Sequence, residues 1–141
     1  IPYGAPAAVA GTPMDFSTPH LIGERIDTDT DQLRWARGYD HTYILDKELG
    51  KLAIASRCSS PKTGIVMEVY TDQPGVQLYT GNWMSGNLRG KHDHRYPARA
   101  ALCLETQHYP DSPNKPEYPS TRLNPGETFR STTIFRFTLE A

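Results

Sequence analysis

The sequence predicts an all-β chain, most simply an antiparallel β-sandwich, and three observations carry that expectation. Twelve prolines and eleven glycines are spread throughout and leave no window for a sustained amphipathic helix. Between residues 52 and 80, short β-rich runs alternate with turn signals. Near the C-terminus, one long run alternates apolar and polar side chains with the period of a strand.

Taken in chain order, residues 1 to 38 are rich in Pro, Gly, Asp and Thr. "PMDF" and "TDTDQ" read as local turns, and one short helical turn is expected near Leu33 to Arg37. Next come "LAIASRCSS" at 52 to 60, "PKTG", "IVMEVYT" at 65 to 71, "DQPG" and "VQLYT" at 76 to 80, which read as an antiparallel meander of three strands. Around His92 and His94, the residues Gly90, Lys91, Asp93 and Arg95 predict a solvated loop rather than a metal site. Residues 108 to 127 carry Pro110, Pro113, Pro116, Pro119 and Pro125 and are expected to wrap the surface as an extended covering loop. In "TFRSTTIFRFTLE", Phe129, Ser131, Thr133, Phe135, Phe137 and Leu139 share one parity and Thr128, Arg130, Thr132, Arg136 and Thr138 the other. That run predicts a long strand with an apolar inner face.

Length and charge narrow the classes of function. The 141 residues amount to about one ordinary domain and need no metal or disulfide staple. Fifteen Lys plus Arg balance sixteen Asp plus Glu, so no broad field draws nucleic acid or an anionic membrane. No apolar run approaches the roughly 18 residues of a bilayer span, and the N-terminus lacks the pattern of a signal peptide. A soluble protein is expected, with the cytoplasm favoured. Cys58 and Cys103 show no zinc spacing and read as reduced, buried strand residues.

The stretch "LCLETQHYPDSPN" places a carboxylate, Glu105, in an apolar strand that ends in turn-forming residues. Alternation sets Leu102, Leu104 and Thr106 on one face and Cys103, Glu105 and Gln107 on the other. One reading is a solvated carboxylate on an outer face. The other is a functional carboxylate, with Gln107 beside it to bond the same ligand and the proline-rich loop above it as a roof. Composition and spacing leave both open.

The phrases "IPYGAPAAVAGTPMDF", "IGERI", "GYDHTYILD", "TDQPGVQLYTGN" and "LCLETQHYPDSPNKPEYPSTRLNPGETFRSTTIFRF", in that order, resemble the C-terminal half of the galactose mutarotases, or aldose 1-epimerases. The resemblance implies a large antiparallel β-sandwich of the galactose mutarotase type, with residues 1–141 forming the C-terminal portion of a single epimerase domain. It also implies interconversion of the α and β anomers of aldohexoses such as galactose and glucose, without metal or organic cofactor. A base takes the proton of the C1 hydroxyl while an acid protonates the ring oxygen. Each such group contributes about 10²- to 10⁴-fold when held within hydrogen-bond reach. By resemblance Glu105 is the base, and desolvation in a half-buried strand position would raise its pKa toward working pH. Asp40, of "GYDH", accepts hydrogen bonds from sugar hydroxyls, and Gln77, the second Gln of "QPGVQ", donates or accepts at the sugar. The alternatives are a turn residue for Asp40 and a solvated strand position for Gln77; Gln73 reads as a turn residue before Pro74. His41 is expected to pack or bond on the face opposite Asp40, and His108 to line a rim. The acid histidine and further sugar ligands of the family come from upstream of this chain.

A half-sandwich would expose apolar positions such as Phe129, Phe135 and Phe137, which soluble monomers rarely leave bare over large areas. A second chain carrying the N-terminal half, or a homodimer, is therefore expected. Two competing readings are a non-catalytic sugar-binding module and a structural β-domain of a carbohydrate-active protein, because fold alone does not fix function. A hexose-6-phosphate epimerase is a nearer one, for which "RGKHDHR" at 89 to 95 is the candidate basic cluster.

Overall fold

The computed structural model describes residues 5–140, which form two short α-helices, two single-turn 3-10 helices and eight strands. The first four residues of "IPYGAPAAVAGTPMDF" lie outside the described residues. The chain divides into two compact units. Among the described residues, one comprises 42–77 and 104–140 and the other 5–41 and 78–103.

In the first unit, β2 (Ala53–Ser59) and β3 (Ile65–Thr71) form the expected antiparallel hairpin, closed by the Ser60 to Gly64 turn. β3 pairs on its other side with β8 (Thr133–Leu139), also antiparallel, giving a sheet of order β2-β3-β8. The register puts Ile65, Met67 and Val69 opposite Leu139, Phe137 and Phe135, so these apolar residues share one face. On the other face Glu68 lies between Arg57 and Arg136, at 4.0 and 3.5 Å; the two arginines are exposed, whereas the glutamate is partly covered and Val66 on the same face is buried. The apolar face is covered at Val69 and Thr71, both fully buried. It is open at the far end, where Phe137 is 65% and Leu139 74% exposed. Phe129 and Phe135 are exposed as well.

Two expectations fail here, each for a local reason. β4 (Gly75–Tyr79) does not continue the meander. It lies in a second sheet of order β1-β4-β7, between β1 (Asp40–Ile44) and β7 (Cys103–Gln107). At the switch, the Thr71 hydroxyl accepts from the Gln73 N–H at 3.0 Å and the Pro74 carbonyl accepts from Leu45 N–H at 3.0 Å, which steers the chain away from β3. β8 starts at Thr133 instead of Thr128 because Asp72 captures the residues before it: its carboxylate accepts from Ser131 Oγ at 3.1 Å and from Thr132 N–H at 2.8 Å.

The second unit holds α1 (Ile22–Arg25), α2 (Asp31–Ala36) and the hairpin of β5 (Ser85–Arg89) and β6 (Arg95–Pro97). The helical turn expected near Leu33 is α2; it buries Leu33 and stops at Arg37, which is left-handed at φ 58°. The "GKHDH" segment joins β5 to β6 and is exposed, as read from its composition.

Candidate active site

Thr42, Gln77 and Gln107 come from three different strands and meet through one hydroxyl. Thr42 Oγ1 donates to Gln77 Oε1, and Gln107 Nε2 donates to Thr42 Oγ1 at 3.5 Å. The three side chains therefore stand on one face of the β1-β4-β7 sheet. Glu105 lies two residues before Gln107 within β7, so the pleat puts it on that face too. Gln77 and Glu105, two of the residues expected from sequence, thus stand on the same face of one sheet, with Gln107 two residues after Glu105 on its strand.

Gly75 makes this possible. On the middle strand, a Cβ there would meet Thr42 Cγ2 and the Tyr109 ring at 3.1 Å, so both would have to shift by a few tenths of an ångström to keep Thr42 reaching across β4 toward β7. Tyr109 closes the end of the row: its hydroxyl donates to the Pro74 carbonyl at 3.3 Å and its ring meets Tyr118 edge-on at 5.2 Å. Neither Thr42 nor Gly75 announces itself in the sequence. The glycine of "PGVQ" reads as an ordinary turn residue.

The half-buried setting expected for Glu105 is not observed. Glu105 is exposed, and so is Cys103 on the same side, whereas Leu104 is partly covered. Alternation assigned the faces correctly, but nothing in this unit covers the Glu105 face. The proline-rich loop turns instead upon itself, around the buried Ser112 and a concavity of about 500 Å³ lined by Pro113, Lys115, Pro116 and Tyr118. Among the described residues Glu105 has no hydrogen bond or ion pair. Cys58 and Cys103 are both free thiols; burial pushes the Cys58 thiol up, while Cys103 is not the buried residue expected.

His108 is turned to Gln73, whose carbonyl Oε1 lies 2.8 Å from Nδ1. Gln73 is a turn residue, as expected, but it is also buried, and it donates to Ser131 Oγ at 2.9 Å. A carbonyl only accepts, so Nδ1 of His108 carries the proton, and the imidazole ties the end of β7 to the β3–β4 switch.

Asp40 belongs to the second unit, where a closed set of buried hydrogen bonds fixes the residue before it. Tyr39 N–H donates to Thr80 Oγ1 at 3.1 Å, Thr80 Oγ1 donates to Asn82 Oδ1 at 2.6 Å, and Asn82 Nδ2 donates to the Tyr39 carbonyl at 2.8 Å. The Tyr39 ring packs edge-on against Phe16 at 5.2 Å, and its hydroxyl donates to Pro13 O. The phrases "GYDH" and "YTGN" are thus two halves of one clamp, and Thr80 and Asn82 are positioning residues that sequence reading passed over. His41 bonds locally: Asp40 N–H donates to Nδ1 at 3.0 Å, so Nε2 carries the proton toward Gln32 Oε1 at 3.2 Å. Burial pushes its pKa below the usual histidine range, against the opposing pull of the Asp40 charge.

A family profile described as aldose 1-epimerase matches residues 1–136. The galactose mutarotase of Mus musculus is 42% identical over 139 residues, covering 99% of this chain and 39% of the relative. That of Homo sapiens is 40% identical over the same shares, and the aldose 1-epimerase of Escherichia coli K12 is 36% identical over 143 residues, 99% of this chain and 40% of the relative. The crystal structure of a GalM/aldose epimerase homologue from C. elegans superposes with a TM-score of 0.82 at 25% identity, covering 98% of this chain and 40% of that one. The chain thus spans about 39% of the length of the curated relatives it matches.

Proposed function

The chain belongs to the aldose 1-epimerase family, and from that premise we propose that it supplies the base-bearing part of a mutarotase site acting on aldohexoses such as galactose and glucose. The observation that carries the reading is the face of the β1-β4-β7 sheet on which Glu105 stands beside Gln107 and Gln77. A carboxylate without a partner among the described residues, flanked by two carboxamides, has no packing task to explain it. It suits a ligand rich in hydroxyl groups.

In this reading the Glu105 carboxylate takes the C1 hydroxyl proton. The C1–O5 bond breaks, its electron pair goes to O5, and O5 receives a proton from an acid; rotation about C1–C2 and reclosure give the other anomer. His108 is the histidine of Glu105's own unit, and its tie to Gln73 supports assigning the acid to a histidine of the family domain outside these 141 residues. Gln77 and Asp40 hold sugar hydroxyls, and residues 1–141 form the C-terminal portion of one epimerase domain. A cytoplasmic setting goes with this reading; no helix among the described residues is long and apolar enough to cross a membrane.

Asp40→Asn keeps shape but removes the charge that strengthens an accepted hydrogen bond. KM for galactose is expected to rise about tenfold, from the loss of roughly 1.5 kcal/mol, with little change in thermal midpoint. An unchanged KM would count against the assignment.

The bare end of the β2-β3-β8 face supports an association, either with a second chain carrying the N-terminal part of the domain or with a second copy of this chain. Size-exclusion chromatography with light scattering is expected to give a mass above 15.8 kDa. A compact 15.8 kDa monomer would refute both forms of the association.

A further inference from the structure

We infer that His41 is a positioning residue whose neutral ring holds the peptide unit leading into Asp40, and that protonation of His41 releases this unit and weakens sugar binding. This goes beyond the reading of Asp40 as a sugar contact, on which it rests, by naming what fixes that residue and what frees it. The peptide between Tyr39 and Asp40 is planar and trans, so its carbonyl and its N–H point in opposite directions and a bond at each end fixes the plane. The carbonyl accepts from Thr80 N–H at 3.1 Å and from Asn82 Nδ2 at 2.8 Å. The N–H donates to His41 Nδ1 at 3.0 Å.

A backbone N–H only donates, so Nδ1 turns its lone pair to Asp40 and the ring proton sits on Nε2, 3.2 Å from Gln32 Oε1. Of the groups that hold this peptide, His41 alone titrates near neutral pH. The imidazolium carries a proton on both nitrogens. Its Nε2–H still suits Gln32, but its Nδ1–H faces the Asp40 N–H, donor against donor, and that bond is lost. The charge that bears on the ring is Asp40, which favours the protonated form; burial outweighs it and pushes the pKa below the usual histidine range. α2 faces the ring with the neutral Gln32, while Arg34 is turned to Asp29 and Asp31 and the neighbouring Arg37 lies over the Trp83 ring at 4.5 Å. β4, beside β1 in the sheet, carries no charged residue. With the folded pKa depressed, the clamped form is complete above the ordinary histidine value of about 6.5 and is lost as pH falls through the lower, folded value.

Two variants of the full chain test the inference: His41→Asn, whose Oδ1 can accept in place of Nδ1 but does not titrate, and His41→Leu, which has no acceptor. The first readout needs no turnover. NMR of the parent is expected to show the Nε2–H tautomer of His41 at neutral pH and an Asp40 amide shift that moves with the titration of the ring; in His41→Asn the Asp40 shift stays flat over that range. An Nδ1–H tautomer, or an Asp40 amide indifferent to the titration of His41, overturns the inference whatever the enzyme does. The second readout is the KM for α-D-galactose, or the dissociation constant if turnover is absent, as a function of pH. In the parent it is expected to rise about five- to tenfold on acidification, the loss of one hydrogen bond, with the midpoint seen for the His41 ring. His41→Asn removes that rise, and His41→Leu shows the raised value at every pH. Superimposable profiles for the parent and His41→Asn, while Asp40→Asn raises KM, overturn the positioning role. If Asp40→Asn leaves galactose binding unchanged, the sugar contact of Asp40 falls and the predicted change in affinity falls with it. The Asp40 amide shift then shows whether His41 still holds the peptide.

Discussion

Glu105→Gln is expected to lower kcat for galactose mutarotation by about 10²- to 10⁴-fold while leaving the fold intact. The fall is large because the carboxamide keeps the size and hydrogen-bonding reach of the side chain but has no basic oxygen to take the C1 hydroxyl proton, and a positioned base contributes about that factor. The fold survives because Glu105 is exposed and has no internal partner among the described residues. Substitutions at such positions usually change stability by less than about 0.5 kcal/mol. Polarimetry of freshly dissolved α-D-galactose measures the first effect and a thermal melt the second. The pair of results is diagnostic: a variant that melts like its parent and no longer accelerates mutarotation identifies a chemical role, whereas full activity in Glu105→Gln would remove Glu105 from the mechanism. Galactose bound by the parent protein without anomer exchange would instead support a sugar-binding module.

How much of this was legible in the sequence depends on the kind of interaction that decides each feature. β2 and β3 are legible almost to their ends because alternation and a four-residue turn specify a hairpin locally. The departure of β4 to another sheet is not, since a bond from the Gln73 N–H to the Thr71 hydroxyl and one from the Leu45 N–H to the Pro74 carbonyl decide it, and neither alters the hydrophobic pattern. The same holds for β8, whose alternation runs back to Thr128 although Asp72 has taken Ser131 and Thr132 out of the strand. For Glu105, parity identified the face and the family phrase its candidate role. Its burial is not legible there, because burial depends on what covers a face, and a strand's own sequence does not say what lies above it. Thr42 and Gly75 were invisible for a related reason. Their contribution is a reach across the middle strand, which exists only once β1, β4 and β7 are side by side.

Gly38→Ala is expected to cost about 3 to 4 kcal/mol and to weaken galactose binding in the same step, because one backbone position serves both the fold of the second unit and the placement of Asp40. Gly38 has φ +141°, a region that residues with a Cβ rarely adopt and that costs about 1 to 3 kcal/mol. The added methyl group would also lie 2.4 Å from Asn82 Oδ1 and 3.0 Å from Thr80 Oγ1. A flexible surface side chain would swing away cheaply, but Asn82 and Thr80 are buried and bonded to each other and to Tyr39. Relieving the overlap therefore breaks at least one buried hydrogen bond, at about 1 to 3 kcal/mol. In a domain of this size the sum lowers the thermal midpoint by roughly 10 °C. Asn82→Ala should by itself destabilise by the loss of its two hydrogen bonds. Combined with Gly38→Ala, however, it removes the overlap, so the double variant should be less destabilised than the sum of the singles by about 1 kcal/mol or more. Strict additivity would show that the clamp does not hold Gly38. A Gly38→Ala protein that melts within about 1 °C of its parent would show that the tight turn before Asp40 is dispensable.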